Sequence, residues 1–470
     1  MTGFASFVPR RLLVTLRLGE MPGHVPAWRA CAAYGTPHAA HVDGGALDRL
    51  LRHFGGAARI GRLHSARTPP HERPDVAGAR RYDDVEQLSG VARVLRIEVE
   101  RGERLPELLQ ALGQLPHVEA VRPERLVVTP LDASAQALAQ AAAPLVIDTQ
   151  EAWRSRELIR LPQALAYEVG DSAVLIGLAD TGVADGGRVS ALALRPGFDT
   201  VDLRETNFEG LTLVGDASGT DGDPTDEVGH GTGCAGILCG DTPELPPGAA
   251  GRCSLIPARV LGAALRGEKR VGIGSVANID AGMKRLIDLG AKVINMSFGT
   301  AESQLQPDEP RPHAEVVRYA LARGVILVAA SGNSGLAERY YPAAHPGVIA
   351  VGAVDADGGA APFATRGPHV ALSAPGVGVW SCGIEGWQRA SGTSFAAPFV
   401  SAACALMVAR ADARAWPLEG PDARAILVRS VRPFAQAGVD GLGAGVLDVC
   451  AALRALDDWI DSRDDPAQAA

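Results

Sequence analysis

Beyond about residue 170 the chain alternates between two kinds of hydrophobic pattern. "AVLIGLAD", "CSLIPARVL", "AKVINMSFG", "GVILVAASGN" and "GVIAVGAVD" are short, unbroken apolar runs, the pattern of strands covered on both faces. Between several of them lie segments such as "VANIDAGMKRLIDLG" and "HAEVVRYALARG", in which apolar residues recur at the three-to-four spacing of one helix face. Strand and helix in alternation predict an α/β domain with a doubly wound, mostly parallel sheet, whose reactive groups gather at the carboxyl ends of the strands.

The first 128 residues have a different rhythm. Strand "RLLVTLRL", helix "GALDRLLRHF", strand "ARVLRIEVE", helix "LPELLQALGQ" and strand "HVEAVRPERLVV" predict a small α+β, ferredoxin-like domain with two helices laid on an antiparallel sheet. Its middle, "RTPPHERPDVAGARRYDD", is rich in Pro, Arg and Asp and is expected to be a mobile insertion. "TPLDASAQALAQAAAPL" shows no amphipathic face, so residues 129–147 are expected to be a linker. Residues 148–457 then form the larger domain, and 458–470 a polar tail.

Charge and cysteine usage narrow the setting. A formal charge of −9 and a pI near 5.7 give no electrostatic reason to expect a nucleic acid or an anionic membrane as partner. The N-terminus "MTGFASFVPRRLLVTLRLGEMPG" has no long apolar run behind its charges, and no stretch approaches ~20 uninterrupted apolar residues, so neither a secretory signal nor a membrane span is expected. Seven scattered cysteines with no C-x-x-C pair read as reduced thiols, with a Cys239–Cys253 bridge as the alternative for an exported protein. The expected location is therefore the cytoplasm, with export by another route left open.

Candidate chemistry starts at "ASGTSFAAPFVSAACALM", where Ser394 stands at the start of an apolar helical pattern. A serine there is an N-cap, or it is a nucleophile beside the free N–H groups of a helix start, which suit an oxyanion. A serine nucleophile needs a base, and the base an orienting partner. Asp180 ends the strand "LIGLAD", His230 lies between glycines in "DEVGHGTGCAGIL", and Asn333 closes "ILVAASGN". Each alone reads as a turn or capping residue. Together they place a Ser-His-Asp relay and an amide donor at element ends of one α/β domain.

"ADTGV", "GHGTGCAGI", "INMSFG", "AASGNSG", "YPAAHPGVIAVGAVD", "LSAPGV" and "SGTSFAAPFVSAACALM", in this order between about Asp148 and Leu453, resemble the successive motifs of the subtilisin-like serine proteases, the subtilases. The chain order Asp, His, Ser is also that family's. The resemblance implies a serine endopeptidase acting on polypeptides, with Ser394 as nucleophile, His230 as general base and then acid, and Asp180 orienting the imidazole. It implies an oxyanion hole made by the Asn333 amide and the Ser394 backbone N–H. "MSFG" and "AASG" resemble the segments that flank the primary specificity pocket, so Ser297, Phe298, Gly299, Ala330 and Gly332 are expected to line it, and to leave it open. Extended substrate is expected to pair there by strand addition.

The chain departs from the family pattern in places. Gly233 in "HGTG" and Phe399 after Pro398 stand where the family often carries histidines. Cys234, four residues after His230, resembles the free cysteine of thiol-bearing subtilases, which implies sensitivity to mercurials; by its own pattern it is a buried small residue. No cofactor is expected to be required and no metal ligand is assigned. The acidic run "DASGTDGDPTDE", with Asp216, Asp221, Asp223 and Asp226, has oxygen ligands without EF-hand spacing. It is read as a solvated loop, with a structural calcium ion or a preference for basic substrate residues as its alternatives.

The N-terminal domain resembles the inhibitory propeptides of subtilases in element order, and "VEAVRPERLVV" their final strand. That resemblance implies an intramolecular inhibitor and a zymogen cut between Thr129 and Thr149; a permanent accessory domain is the alternative. The competing activities are a dedicated peptide-maturation protease or ligase, and a silent binding module on the same fold.

Overall fold

The computed structural model describes residues 7–67, 82–129 and 147–464, except 185–187, 190–192, 204–206, 209, 219 and 308. Most of the insertion after Arg67 and most of the 129–147 linker, with its expected cut, lie outside the described residues.

The N-terminal unit runs β1 (Phe7–Leu16), α1 (Trp28–Tyr34), α2 (Ala46–Leu50), β2 (Ala58–Arg62), α3 (Asp84–Ser89), β3 (Val94–Val99), α4 (Leu105–Gly113) and β4 (Val118–Val128). Its strands are all antiparallel, in the order β2-β3-β1-β4, an arrangement of the split βαβ type. Leu12, Val14, Ile60, Leu95 and Ile97 on one sheet face close against Leu47, Leu51, Leu108 and Leu112 from the helical side. Strand β2 lies where the sequence pattern showed none, because "ARIGR" presents one large apolar residue among arginines and glycine.

The larger unit opens with α5 (Thr149–Leu158), α6 (Leu161–Tyr167) and β5 (Leu175–Asp180), then the short β6 (Phe198–Asp199), β7 (Asn207–Phe208) and β8 (Leu211–Val214). Next come α7 (His230–Cys239), β9 (Ser254–Arg259), a hairpin of β10 (Gly262–Arg266) and β11 (Lys269–Ser275), α8 (Val276–Asp288), β12 (Val293–Met296) and β13 (Thr300–Ala301). After these follow α9 (Ala314–Ala322), β14 (Ile326–Ala330), β15 (Tyr340–Tyr341), β16 (Ile349–Val354), β17 (Val370–Pro375) and the hairpin β18 (Val379–Cys382) and β19 (Trp387–Ala390). Three helices close the chain: α10 (Thr393–Ala413), α11 (Gly420–Arg429) and α12 (Val449–Asp464).

Seven strands form one parallel sheet in the order β17-β16-β14-β12-β5-β9-β6. Strand order reverses direction between β12 and β5, and a crevice beyond the carboxyl ends of the strands is expected at such a point. Helix α10 is long and apolar enough to cross a membrane, yet 94% of its most apolar window is buried inside the protein, as befits a central core helix. Helix α12 corrects the expected polar tail from 458: it continues to Asp464, because Ile460 is buried and Trp459 packs edge-on against Trp416.

The two units share one sheet. Strand β4 pairs antiparallel with β11, Leu126 to Val128 facing Ser275 to Ile273, so the antiparallel sheet runs from β2 through to β7. Charge locks the seam. Asp202 of the larger unit receives the Trp28 indole N–H at 2.8 Å and the Arg96 guanidinium at 3.0 Å, while Arg11 donates to its carbonyl at 2.6 Å. Arg122 grips Glu315 with two bonds of 3.1 Å, and Arg125 grips Glu309.

The Arg122–Glu315 pair is 6% and 7% exposed, and stripping one partner from such a pair costs about 3–5 kcal/mol because a buried charge is left alone. Glu315→Gln is therefore expected to lower the urea midpoint of the full chain by a corresponding amount; an unchanged midpoint would show that water or another group already neutralises Arg122. Burial raises the Glu315 pKa, but Arg122 and its hydrogen bonds outweigh this and hold it at about 2. Its stabilising contribution is complete above the ordinary glutamate value of ~4.3 and is lost as pH falls towards 2.

Candidate active site

Asp180 is the last residue of β5 and is fully buried. Its Oδ1 accepts the Thr181 N–H at 2.8 Å and the His230 Nδ1–H at 2.6 Å, which fixes the imidazole with Nε2 as its free nitrogen. His230 is the first residue of α7. Two contacts hold that helix against the end of β5. Gly231 N–H donates to Thr181 Oγ1 at 2.8 Å, and a Cβ on Gly231 would lie 2.2 Å from the Gly182 carbonyl oxygen, so only glycine permits the approach. Burial works against a charged His230, yet the Asp180 carboxylate, its hydrogen bond and Asp226 outweigh it and raise the pKa above the usual value.

Asp226 belongs to this assembly and not to a solvated loop, which corrects part of the sequence reading. It is 3% exposed, and its carboxylate accepts the N–H groups of Val228, Gly229 and Thr232 and the Thr232 hydroxyl, all within 2.9 Å. With those bonds made, it braces the start of α7 and leaves little acceptor capacity for a cation or a basic substrate. Asp216, Asp221 and Asp223 are exposed and bond backbone N–H groups two residues onward, the Asx-turn chemistry of a loop.

Ser394 is the second residue of α10 and is 2% exposed. It is not the N-cap: Gly392 holds that position at φ +147°, and the Ser394 hydroxyl donates to the Ser297 carbonyl at 3.2 Å. The Ser394 carbonyl in turn accepts the Ser297 hydroxyl at 2.8 Å and contacts the Cys234 thiol at 3.4 Å. The Phe395 ring lies 5.4 Å from the His230 ring, which places the start of α10 beside the imidazole. Among the described residues, His230 Nε2 takes no hydrogen bond.

Asn333, just past β14, is oriented by Thr393, whose N–H and hydroxyl bind the Asn333 Oδ1 at 3.0 and 2.8 Å. With Oδ1 committed, Nδ2 is left as donor, and a Cβ on Gly392 would sit 3.2 Å from it. The amide therefore lies over the first turn of α10, where the helix N-terminus adds positive potential. The substituted Gly233 is also explained: a Cβ there would lie 2.5 Å from Gln388 Nε2, which itself binds the Gly229 carbonyl at 2.8 Å and so supports the start of α7.

The pocket segments come together, with two corrections. Phe298 is fully buried in the core behind β12, its ring 5.6 Å from that of His313, and the Ser297 side chain is buried beneath Ser394; both side chains are committed elsewhere. Nor is the pocket open. A Cβ on Gly299 would lie 2.5 Å from the Tyr340 ring, and one on Gly332 3.0 Å from it, so the ring fills the space between the two segments. Tyr340 is carried there by β15, which pairs with β13 directly after Gly299. Ala330 is buried at the end of β14. Sequence reasoning missed Tyr340, Thr393 and Gln388. Thr393 adjoins the serine, but Tyr340 and Gln388 carried no local signal.

Asp180, His230 and Cys234 each bring one ligand atom to within 4.8 Å of the others, the one such trio among the described residues. Burial first, then the carboxylates of Asp180 and Asp226, push the Cys234 thiol pKa well above its ordinary value, which keeps it protonated at neutral pH. A soft cation that displaces its proton would pull on the imidazole. Stoichiometric mercury is therefore expected to abolish activity in the wild type and to spare Cys234→Ala; equal inhibition of both would place the mercury elsewhere.

The sequence model of the Subtilase family matches residues 171–445. Alkaline elastase YaB of Bacillus sp. (strain YaB) is 34% identical over 211 residues, covering 44% of this chain and 52% of that protein. Subtilisin DY of Bacillus licheniformis is 31% identical over 261 residues, covering 54% of this chain and 83% of that one. The chain spans about half the length of the first curated relatives it matches, 50–53%. Among solved structures, a protease from Pseudoalteromonas arctica superposes with a TM-score of 0.55 at 25% identity, over 67% of this chain and 100% of that one.

Proposed function

Since this chain belongs to the subtilase family, we propose that it is a serine endopeptidase that hydrolyses peptide bonds through an acyl-enzyme on Ser394. The observation that carries this reading is the His230 imidazole held at 2.6 Å by the fully buried Asp180 carboxylate, beside the start of the Ser394 helix. The Ser394 hydroxyl leaves the Ser297 carbonyl, gives its proton to His230 Nε2 and attacks the scissile carbonyl. Asn333 Nδ2 and the Ser394 N–H receive the oxyanion. His230 then protonates the leaving amine, and a water deprotonated by the same imidazole releases the acid. These side chains complete the chemistry, so the reading assigns no cofactor. Seven free, buried cysteines support a reducing compartment.

Tyr340 sets the substrate class in this account. With its ring against Gly299 and Gly332, the primary pocket accepts small residues such as Ala or Ser on the acyl side of the cleaved bond. Cleavage of a peptide series differing only at that residue tests this. Ala should be preferred over Phe in the wild type, and Tyr340→Gly should move the ratio of kcat/KM values towards Phe by roughly tenfold or more. A wild type that already prefers Phe would refute the assignment.

The N-terminal unit acts as an intramolecular inhibitor. The end of β4 lies along β11, the Thr129 N–H donates to the Gly272 carbonyl at 2.9 Å, and Gly272 packs against Thr181, the neighbour of Asp180. The chain's own strand thus takes an edge beside the triad where an extended substrate would add. Intact mass after purification tests for a zymogen: loss of about the first 130–150 residues is expected in the wild type and not in Ser394→Ala.

A further inference from the structure

A cavity of about 720 Å³ opens on the seam between the two units and runs along α8. Trp28, Arg29 and Tyr34 of α1 line one wall, and Ala281, Arg285 and Leu289 on and just after α8 the other. Most charges there are already neutralised. Arg96 is held by Glu124 and Asp202, Lys284 by Glu86 and Asp288, and Asp199 by Arg259. Arg29 and Arg285 are different: among the described residues neither side chain makes a hydrogen bond or ion pair, and Arg29 Nε and Arg285 Nη1 are buried without a partner.

We propose that this cavity binds a small ligand carrying a carboxylate or phosphate group, held between Arg29 of the N-terminal unit and Arg285 of the larger one. Two like charges facing one half-closed space, each with a donor cut off from water, are unfavourable until an anion joins them. The guanidinium fork matches the oxygens of a carboxylate or phosphate in pairs. Burial and then the like charge of Arg29 hold the Arg285 pKa down at about 10, the direction an unmet cation takes. Arg285 is nonetheless positioned, its guanidinium stacked 4.0 Å over the Phe198 ring. The volume exceeds that of a bare ion and suits a small organic acid or phosphate ester. Because one arginine comes from each unit, a bound anion ties them together. On the reading that the N-terminal unit restrains the active site, it would also slow release of that unit.

Calorimetric titration of the full chain with inorganic phosphate and with succinate, against chloride at equal ionic strength, tests the site without reference to proteolysis. Saturable binding of one anion per chain is expected, weakened at least tenfold in Arg29→Gln and in Arg285→Gln. The apo double variant should melt no lower than the wild type, since it removes a repulsion, which shows that weakened binding is not unfolding. Absence of saturable heat with both anions, or undiminished binding in the double variant, overturns the proposal; preference for one anion identifies the ligand's headgroup.

Discussion

Replacing Ser394 with alanine is expected to lower kcat for peptide hydrolysis by ~10⁶-fold, the loss seen when the serine of a triad of this kind is removed. The size of the effect follows from the number of steps that need one oxygen. Without it the Asn333 amide and the α10 N-terminus can still bind a carbonyl, but no acyl-enzyme forms and His230 has no hydroxyl to activate. Ser394 lies at 2% exposure, and its hydroxyl makes one bond, to the Ser297 carbonyl, so the fold should lose little and the melting temperature stay within a few degrees. A variant that keeps more than about a thousandth of wild-type kcat would mean that another group supplies the nucleophile, since about 10³–10⁴-fold over water is all that the remaining site provides.

Asp180→Asn should cost about 10⁴-fold in kcat and, more tellingly, shift the pH profile. Asn offers its amide N–H where Asp180 Oδ1 accepts the imidazole proton at 2.6 Å, so the ring takes the other tautomer and presents an N–H to Ser394. In the proposed mechanism His230 serves as base in its neutral form, so its raised pKa is expected to place the acid limb of kcat/KM above the ordinary histidine value of ~6.5. Removing Asp180 takes away the charge and the hydrogen bond that raise the pKa and leaves the burial that lowers it. The acid limb should therefore move to lower pH as the plateau falls. A limb that moves upward, or stays, would contradict the assignment of His230 as the titrating base.

How much of this was legible in the sequence depends on where the physical cause lies. The five apolar runs became β5, β9, β12, β14 and β16 because strands covered on both faces need no alternation and few polar residues interrupt them. Asp180, His230, Asn333 and Ser394 were legible because each ends or opens such an element, where side chains must gather. The hairpin β10–β11 was not, since "LRGEKR" reads as a polar loop and its strands are short. The partners that define it are β8 and the distant β4, whose Val128 pairs with Ile273. The burial of Arg11, Arg96 and Arg122 has no local signal, because Asp202 and Glu315, which meet them across the seam, lie far along the chain. Tyr340 was hidden for the same reason: its ring matters only because β15 returns beside Gly299, forty residues back. Phe298 was misassigned because motif position says which backbone passes the pocket, whereas the side chain follows the core.

The measurement that bears most directly on the central claim is the site of covalent labelling by a fluorophosphonate, read by peptide mass mapping on the full-length wild type and on Ser394→Ala. One adduct on Ser394 in the wild type, none in the variant and none in wild-type protein unfolded before labelling is the result this account predicts. An adduct on a different residue, or no adduct on folded wild type under conditions that label another serine protease, would contradict it.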